Sequence, residues 1–375
     1  MSSFTLENAT VVTSDGVRKA VSVAIEGSHI ADVGTSSGKK IDLGGGYLLP
    51  GFIDTQVNGG GGVLLNDEPS VDGIAAIAVA HRKFGTTGIM PTLISDDLVA
   101  IERAIVATDD AISQGVPGVL GLHIEGPFIS TERRGIHAER FMRPLDEEAF
   151  AVLTRSGNGA RLITLAPECV VAGTVSRLRA AGLIVAAGHS AADYTQTRAA
   201  LDEGLDGFTH LFNAMTQFQS RAPGMVGAAL EDRNSRFGLI VDGAHVHPAA
   251  LRVALAARGL DGAMLVTDAM PPAGTDLEQF DLQGRTITVA EGTLRGEDGT
   301  LAGSALTMDL ALRNAMDMLG LTLAEASQLA SANPAAFLRM DRQRGAIVPG
   351  LAADLVHLDE EFRVRQVWIA GEEQL

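Results

Sequence analysis

Cysteine is nearly absent from this sequence: of 375 residues, Cys169 is the single one. No internal disulfide can form, which fits a reducing compartment. Aromatic residues make up 4%, so the core has to be built from Ala, Val, Leu and Ile. Cationic residues are outnumbered, with 29 Lys and Arg against 46 Asp and Glu, for a formal net charge of −17. A field of that sign repels nucleic acid and anionic lipid, so neither is an expected partner, and an anionic ligand needs a local cationic pocket. No apolar run approaches the roughly 20 residues that span a bilayer. The opening MSSFTLENATVVTSDG lacks the basic start and apolar stretch of a secretory signal. The expectation is a cytoplasmic protein that does not engage membranes.

What is present describes a folded α/β chain. Hydrophobic residues make up 46% and charged residues 20%, well away from disordered compositions. The 43 glycines lie between apolar runs, where they read as tight turns between strands and helices. FTLENATVV, AVSVAIEG and HIADVG are β-rich pieces, separated by Ser14-Asp15-Gly16 and Gly27-Ser28 turn signals. Leu355 to Leu358 and Val364 to Ile369 read the same way near the other end. These pieces predict a small β-sandwich domain assembled from residues 1–49 and 346–375, flanking a central unit at 50–345.

Within that unit, FIDTQVNG, TTGIMPTLIS, GVLGLHIEGPF, RLITLAPE, LIVAAGHS, GFTHLFN, FGLIVDGAH and AMLVTDAM are strand candidates. Helices are expected between most of them, at Gly73–Lys83, Thr174–Ala181, Tyr194–Glu203 and Pro248–Ala257. Eight strand–helix repeats are the signature of a (β/α)8 TIM barrel. Periodicity alone does not close a barrel, so an open doubly wound sheet is the structural alternative. The polar residues favour the barrel, because they gather at the strand ends: Asp54, Gln56 and Asn58, then Glu125, Glu168, His189, His210 with Asn213, Asp242 with His245, and Asp268. Barrel active sites form at that face, where the strand-to-helix loops converge. In the third strand, period-two alternation sets Gly121, His123 and Glu125 on one face and Leu120, Leu122 and Ile124 on the other.

Glu125, His189 and His210 together offer one carboxylate and two imidazoles, a ligand set suited to Zn2+ or a similar divalent ion with a position left for water. A strand histidine taken singly is more often a hydrogen-bonded core residue; three ligands at three strand ends are hard to explain that way. Asp268 is placed to pass a proton from water to a leaving nitrogen, against the plainer role of capping a helix before Pro271-Pro272. Arg221 and His245 are the cationic or donor groups near the same face, although a lone arginine is commonly just solvated. His137 follows a loop that can fold over the site and polarise a substrate carbonyl. His29, His81, His247 and His357 receive no function.

The motifs PGFIDTQVNGGGG, LGLHIEGPFIS, AAGHS, THLFNAM, VDGAHVH, LVTDAM and LAGSALTM, in this order, resemble the N-acetylglucosamine-6-phosphate deacetylases of the amidohydrolase superfamily. The resemblance covers nearly the whole chain. It implies conversion of N-acetylglucosamine 6-phosphate to glucosamine 6-phosphate and acetate, in amino-sugar catabolism and cell-wall sugar recycling, by a metal-activated water with an aspartate general acid/base. By position it implies metal ligands at Glu125, His189 and His210, and catalytic roles for Asp268 and His137. Substrate contacts are implied at Ile136, Asn213, Ala214, Arg221, Asp242, Gly243, Ala244, His245, Leu301, Ala302 and Gly303. It also implies a homodimer whose second subunit contributes a phosphate contact. One departure bears on the metal. Where many amidohydrolases end the first strand in His-x-His and hold a second ion, this chain has Gln56-x-Asn58, and no lysine sits at a strand end to bridge two ions. The expectation is one divalent ion per chain, Zn2+ first, with Fe2+, Mn2+ or Co2+ able to use the same ligands. Two rival readings are a cyclic-amide hydrolase or deaminase on the same barrel, and a catalytically silent barrel used as a scaffold.

Overall fold

The computed structural model describes residues 3–13, 16–36, 38–290 and 292–375. The Ser14-Asp15 part of the first expected turn lies outside them. At the centre is an eight-stranded parallel sheet whose strands neighbour one another in chain order: Phe52–Val57, Thr86–Ile94, Gly121–Glu125, Ala160–Leu165, Ile184–Ala187, Gly207–Phe208, Arg236–Leu239 and Ala263–Leu265. Beyond the last strand the chain returns to the first. Val57 pairs with Ala269 in a parallel bridge, Asp268 N donates to Gln56 O at 3.0 Å, and Asn58 N donates to Ala269 O at 2.9 Å. These bonds close the ring. A doubly wound sheet reverses its strand order at a switch point; this sheet never does.

Local chemistry explains the helices that wrap it. Val71–Arg82 starts at Ser70, whose side chain accepts from Gly73 N, and buries Ile74, Ile77, Ala78 and His81 on one face at helical spacing. Leu98–Ser113 is capped by Asp97 in the same manner, and Tyr194–Asp202 by an Asp193/Gln196 capping box. Pro248–Arg258 begins with its proline, where the missing N–H costs nothing.

The lower barrel is filled by Ile53, Met90, Leu120, Leu162, Ile184 and Met264, with Phe337 packed against them. Above them the filling turns polar, with His123 bonded to Thr164 and Thr164 to Thr209. Leu120, expected on the outer face with Leu122 and Ile124, is part of the inner cluster instead. Its neighbour Val119 pairs with Ile89, whereas His123 pairs with Thr92. One extra residue has therefore entered between them, and a one-residue slip moves a side chain to the other face.

Further sheets come from the two termini. Ser3–Glu7, Val23–Glu26, His29–Val33 and Lys39–Asp42 make one. The other joins Thr10–Thr13, Gly16–Arg18 and Tyr47–Pro50 to Leu355–Leu358, Val364–Ile369 and Glu372–Glu373. Tyr47–Pro50 pairs antiparallel with Leu355–Leu358, so residues some 300 apart in the chain share a ladder. Phe4, Leu6, Val23, Ile25, Leu48, Leu355 and Trp368 form a common core.

One element was not anticipated. After the eighth strand, Gln279–Leu282, Arg285–Ala290, Thr293–Gly296 and Leu301–Ser304 form a four-stranded sheet. Its inner residues Leu282, Ile287, Leu294 and Ala302 pack with Ile94, Ile136 and Met270 beside the strand ends.

Candidate active site

The polar strand ends do converge. Glu125 closes the third strand, while His189, His210 and Asp268 follow the fifth, sixth and eighth with positive φ of 48°, 32° and 54°. Non-glycine residues rarely hold that conformation, and clusters of them tend to mark sites that use the strain. His189 Nε2 lies 3.2 Å and His210 Nε2 3.0 Å from Glu125 Oε1, and the two nitrogens are 3.0 Å apart. Glu125, His189 and His210 present one ligand atom each, all within 4.8 Å of one another and buried.

The protonation pattern fits a cation. His189 Nδ1 is 3.0 Å from the carbonyl oxygen of Arg133. A carbonyl only accepts, so Nδ1 carries the hydrogen and Nε2 keeps its lone pair for a metal. Burial pushes the Glu125 carboxyl up, but the two imidazoles beside it outweigh that and hold the group well below the usual carboxylate range. Burial lowers the His210 imidazole, yet its bond to Glu125 and that residue's charge leave it raised.

Asp268 is raised to about 6, first by burial and then by the charge of Glu125. Its Oδ1 accepts from Gln56 Nε2 at 3.0 Å and Asn58 Nδ2 at 2.7 Å. Gln56 Nε2 also donates to Glu125 Oε1 at 3.1 Å. Below, buried Asp54 accepts from the Thr267 hydroxyl and backbone N–H, and burial raises it to about 7.

His137 is buried among these groups, its ring centroid 4.4 Å from that of His189. Its Nδ1 receives the Ser95 N–H at 3.3 Å and lies 2.8 Å from Ser95 Oγ. Nδ1 is thereby the acceptor and Nε2 the N–H donor. Burial and the neighbouring His189 lower its pKa to about 3, so the ring stays neutral. It can donate a hydrogen bond without carrying charge.

A cavity of about 330 Å3 joins these side chains, and Ile136, Asn213, Ala214, His245, Leu301 and Gly303 also line it. Asp242 stands behind His245: its Oδ2 is 2.6 Å from His245 Nδ1, and its Oδ1 accepts from the backbone of Ala244 and His245. Those bonds keep the Asp242 carboxyl low despite burial, which pushes it up. Asp242, Gly243 and Ala244 shape the turn and do not line the cavity. Ala302 points into the covering sheet's core, and Arg221 is exposed on the loop after the sixth strand, away from the cavity of the single chain. Sequence reasoning passed over Glu132 and Arg133, which line the mouth. It assigned Glu168 no role; Glu168 anchors the turn after His189 by accepting from Ser190 Oγ and Ala191 N.

Residues 47–373 of the sequence match the model of the amidohydrolase family. This chain belongs to the amidohydrolase family. An N-acetylgalactosamine-6-phosphate deacetylase of Shewanella sp. (strain ANA-3) is 42% identical over 98% of this chain and 91% of its own length. The N-acetylglucosamine-6-phosphate deacetylase of Homo sapiens is 38% identical over 88% of this chain and 84% of its own. Among solved structures, the N-acetylglucosamine-6-phosphate deacetylase of Pasteurella multocida superposes with a TM-score of 0.96 at 33% identity, covering 99% of both chains. An aspartate-to-alanine variant of the Mycobacterium smegmatis enzyme in complex with N-acetyl-D-glucosamine 6-phosphate gives 0.92 at 32% identity, covering 100% of this chain and 99% of that one.

Proposed function

We propose that this amidohydrolase removes the acetyl group from N-acetylglucosamine 6-phosphate, giving glucosamine 6-phosphate and acetate in amino-sugar catabolism and cell-wall sugar recycling. The observation that carries the reading is the convergence of Glu125, His189, His210 and Asp268 at one end of the cavity, together with His245 lining the same cavity. A second reading, the galacto epimer of the same phosphosugar, is favoured by the name of the 42%-identical Shewanella relative.

Glu125, His189 and His210 would hold one divalent ion, Zn2+ by preference, which would supply Lewis acidity and an activated water. The neutral His137 donates from Nε2 to the acetamide oxygen, and steadies the negative charge that grows there as water adds to the carbonyl carbon. Asp268 accepts the water's proton and delivers it to the amine nitrogen as the C–N bond breaks. A carboxyl near 6 exists in both forms close to neutral pH, as that double duty requires. His245, fixed by Asp242, and Arg221 serve the phosphate, while Ile136, Asn213, Ala214 and Leu301 to Gly303 hold the sugar. Arg221 reaches the phosphate across a homodimer interface; its exposed loop, which also carries Phe218 at 63% exposure, supports that assignment.

The chain divides on this reading into a barrel at 50–345 and a discontinuous β domain at 1–49 and 346–375, and it works in the cytoplasm. Among the described residues no helix is long and apolar enough to cross a membrane. The test is acetate release by the Zn2+-loaded protein from the two epimeric phosphosugars and from unphosphorylated N-acetylglucosamine. Release from N-acetylglucosamine 6-phosphate far above that from the free sugar is expected. No acetate from either phosphosugar, with metal bound, would overturn the reading.

A further inference from the structure

The strand starts, at the end of the barrel away from the candidate active site, border a second cavity of about 370 Å3. Asp206 precedes the sixth strand and Arg236 opens the seventh, with the Arg236 N–H bonded to the Asp206 carbonyl at 3.0 Å. Arg179, from the helix Thr174–Ala180, and Arg339, just past the helix Asn333–Phe337, line the same cavity. In a chain of net charge −17, arginines gathered around one cavity are a local reversal of sign.

Two of these arginines have a structural duty. Arg179 donates from Nε and Nη2 to Asp206 at 3.2 and 3.1 Å, and Arg339 Nη2 donates to the same carboxylate at 3.2 Å. Asp206 also accepts from Val185 N at 3.0 Å, so both of its oxygens are taken. Asp232, the other carboxylate on the cavity, accepts from Asn234 N and Ser235 N and lies 3.5 Å from Arg198 Nη1. Arg236 is different. Its half-buried side chain has no hydrogen bond or ion pair among the described residues, and its Nε is buried without an acceptor. A guanidinium in that position has given up water without a partner in return. Asp206 offsets one of the three arginines and Asp232 is matched by Arg198, so two positive charges are left facing the cavity. Gly204, at φ 100°, makes room for the arrangement, since a Cβ there would collide with the Arg179 guanidinium.

We propose that this cavity is a second anion site, which takes a phosphate dianion, free or as the head of a small sugar phosphate, on Arg236 with Arg179 and Arg339. Planar guanidiniums bind phosphate oxygens in bidentate pairs, and the unbalanced positive charge matches that of the dianion. A volume of about 370 Å3 lies at the lower end of small-ligand pockets. The field of the whole chain turns away polyanions such as nucleic acid. The site faces the opposite end of the barrel from His245, so it stands apart from the proposed deacetylation.

The test is equilibrium dialysis of metal-loaded protein against labelled inorganic phosphate at about 5 mM, where a millimolar site is mostly filled. Wild type is expected to hold about one phosphate per chain more than Arg236→Met, the stoichiometry of a single site. The same difference is expected in a His245→Ala background, because His245 belongs to the other cavity. Arg236→Met breaks no bond of the fold and should melt with wild type in phosphate-free buffer; if it does not, Arg236→Gln takes its place. Equal phosphate in wild type and the Arg236 variant overturns the proposal, and so does a difference that vanishes when His245 is replaced. Unlabelled glucose 6-phosphate separates the two sources. Displacement of the Arg236-dependent phosphate assigns the site to sugar phosphates, and retention assigns it to free phosphate. Acetate release has no part in the readout, so failure of the proposed activity and failure of this inference are seen separately.

Discussion

His189 donates its Nδ1 hydrogen to the carbonyl oxygen of Arg133, 3.0 Å away, while the Ser130 N–H donates 2.9 Å back to the His189 carbonyl. A candidate metal ligand is thus tied twice to the segment that carries Arg133, Ile136 and His137 over the cavity. A cation on Nε2 anchors the ring from its other side, and removing it leaves the ring held by the Arg133 carbonyl alone. Chelation should therefore loosen residues 130–137. Hydrogen exchange read by mass spectrometry is expected to speed up there on metal removal, and to stay slow in the helix Leu98–Ser113. Equal rates with and without metal would separate the loop from the metal site.

Asp268→Asn tests the proton carrier directly. The amide is close to isosteric, but it cannot accept and return a proton. Turnover should fall about 10²–10⁴-fold, the usual scale for losing a general acid/base, while metal analysis still finds the wild-type content. Loss of metal together with turnover would move Asp268 from the chemistry to the ligand set.

The site was legible to very different degrees. Glu125, His189, His210 and Asp268 each end a strand, and a barrel brings strand ends together whatever the loops do. The covering sheet at 279–304 was not legible: Arg285–Ala290 reads RTITVA with mostly exposed or half-exposed positions, so its alternation resembles any solvated turn-rich stretch. Leu120 was misplaced because a one-residue slip in pairing leaves no mark in composition. The donors on Asp268 were visible only as poor metal ligands. That Gln56 and Asn58 spend their N–H groups on carboxylates depends on rotamers, which spacing does not encode.

The pH dependence should carry one acid limb from these side chains. Asp268 must be ionised to accept a proton, so activity rises with pH through its pKa of about 6. Neutralisation of the nearby Glu125 charge by a bound cation removes one cause of that upward shift and moves the limb lower. His137, held near 3, is already neutral above pH 4 and adds no limb. The kcat profile of the metal-loaded protein is expected to show this acid limb below pH 6 and to lose it in Asp268→Asn. A limb that persists in that variant belongs to another group.

Asp242 offers the sharpest separation of binding from chemistry. It does not line the cavity, yet its Oδ2 sits 2.6 Å from His245 Nδ1 and its Oδ1 takes two backbone N–H groups of the same turn. With Asp242 ionised, His245 must carry its hydrogen on Nδ1, and that bond fixes the orientation of the ring. Asp242→Asn removes that charge and weakens the hold on the ring, so a phosphate group loses a fixed partner. The expected result is a KM for the phosphosugar raised roughly 10-fold, on the scale of one charge-assisted hydrogen bond, with kcat changed far less. The unphosphorylated sugar, which makes no such contact, should be turned over as poorly as before. If KM for the two sugars rises by the same factor, His245 is shaping the pocket and not reading the phosphate.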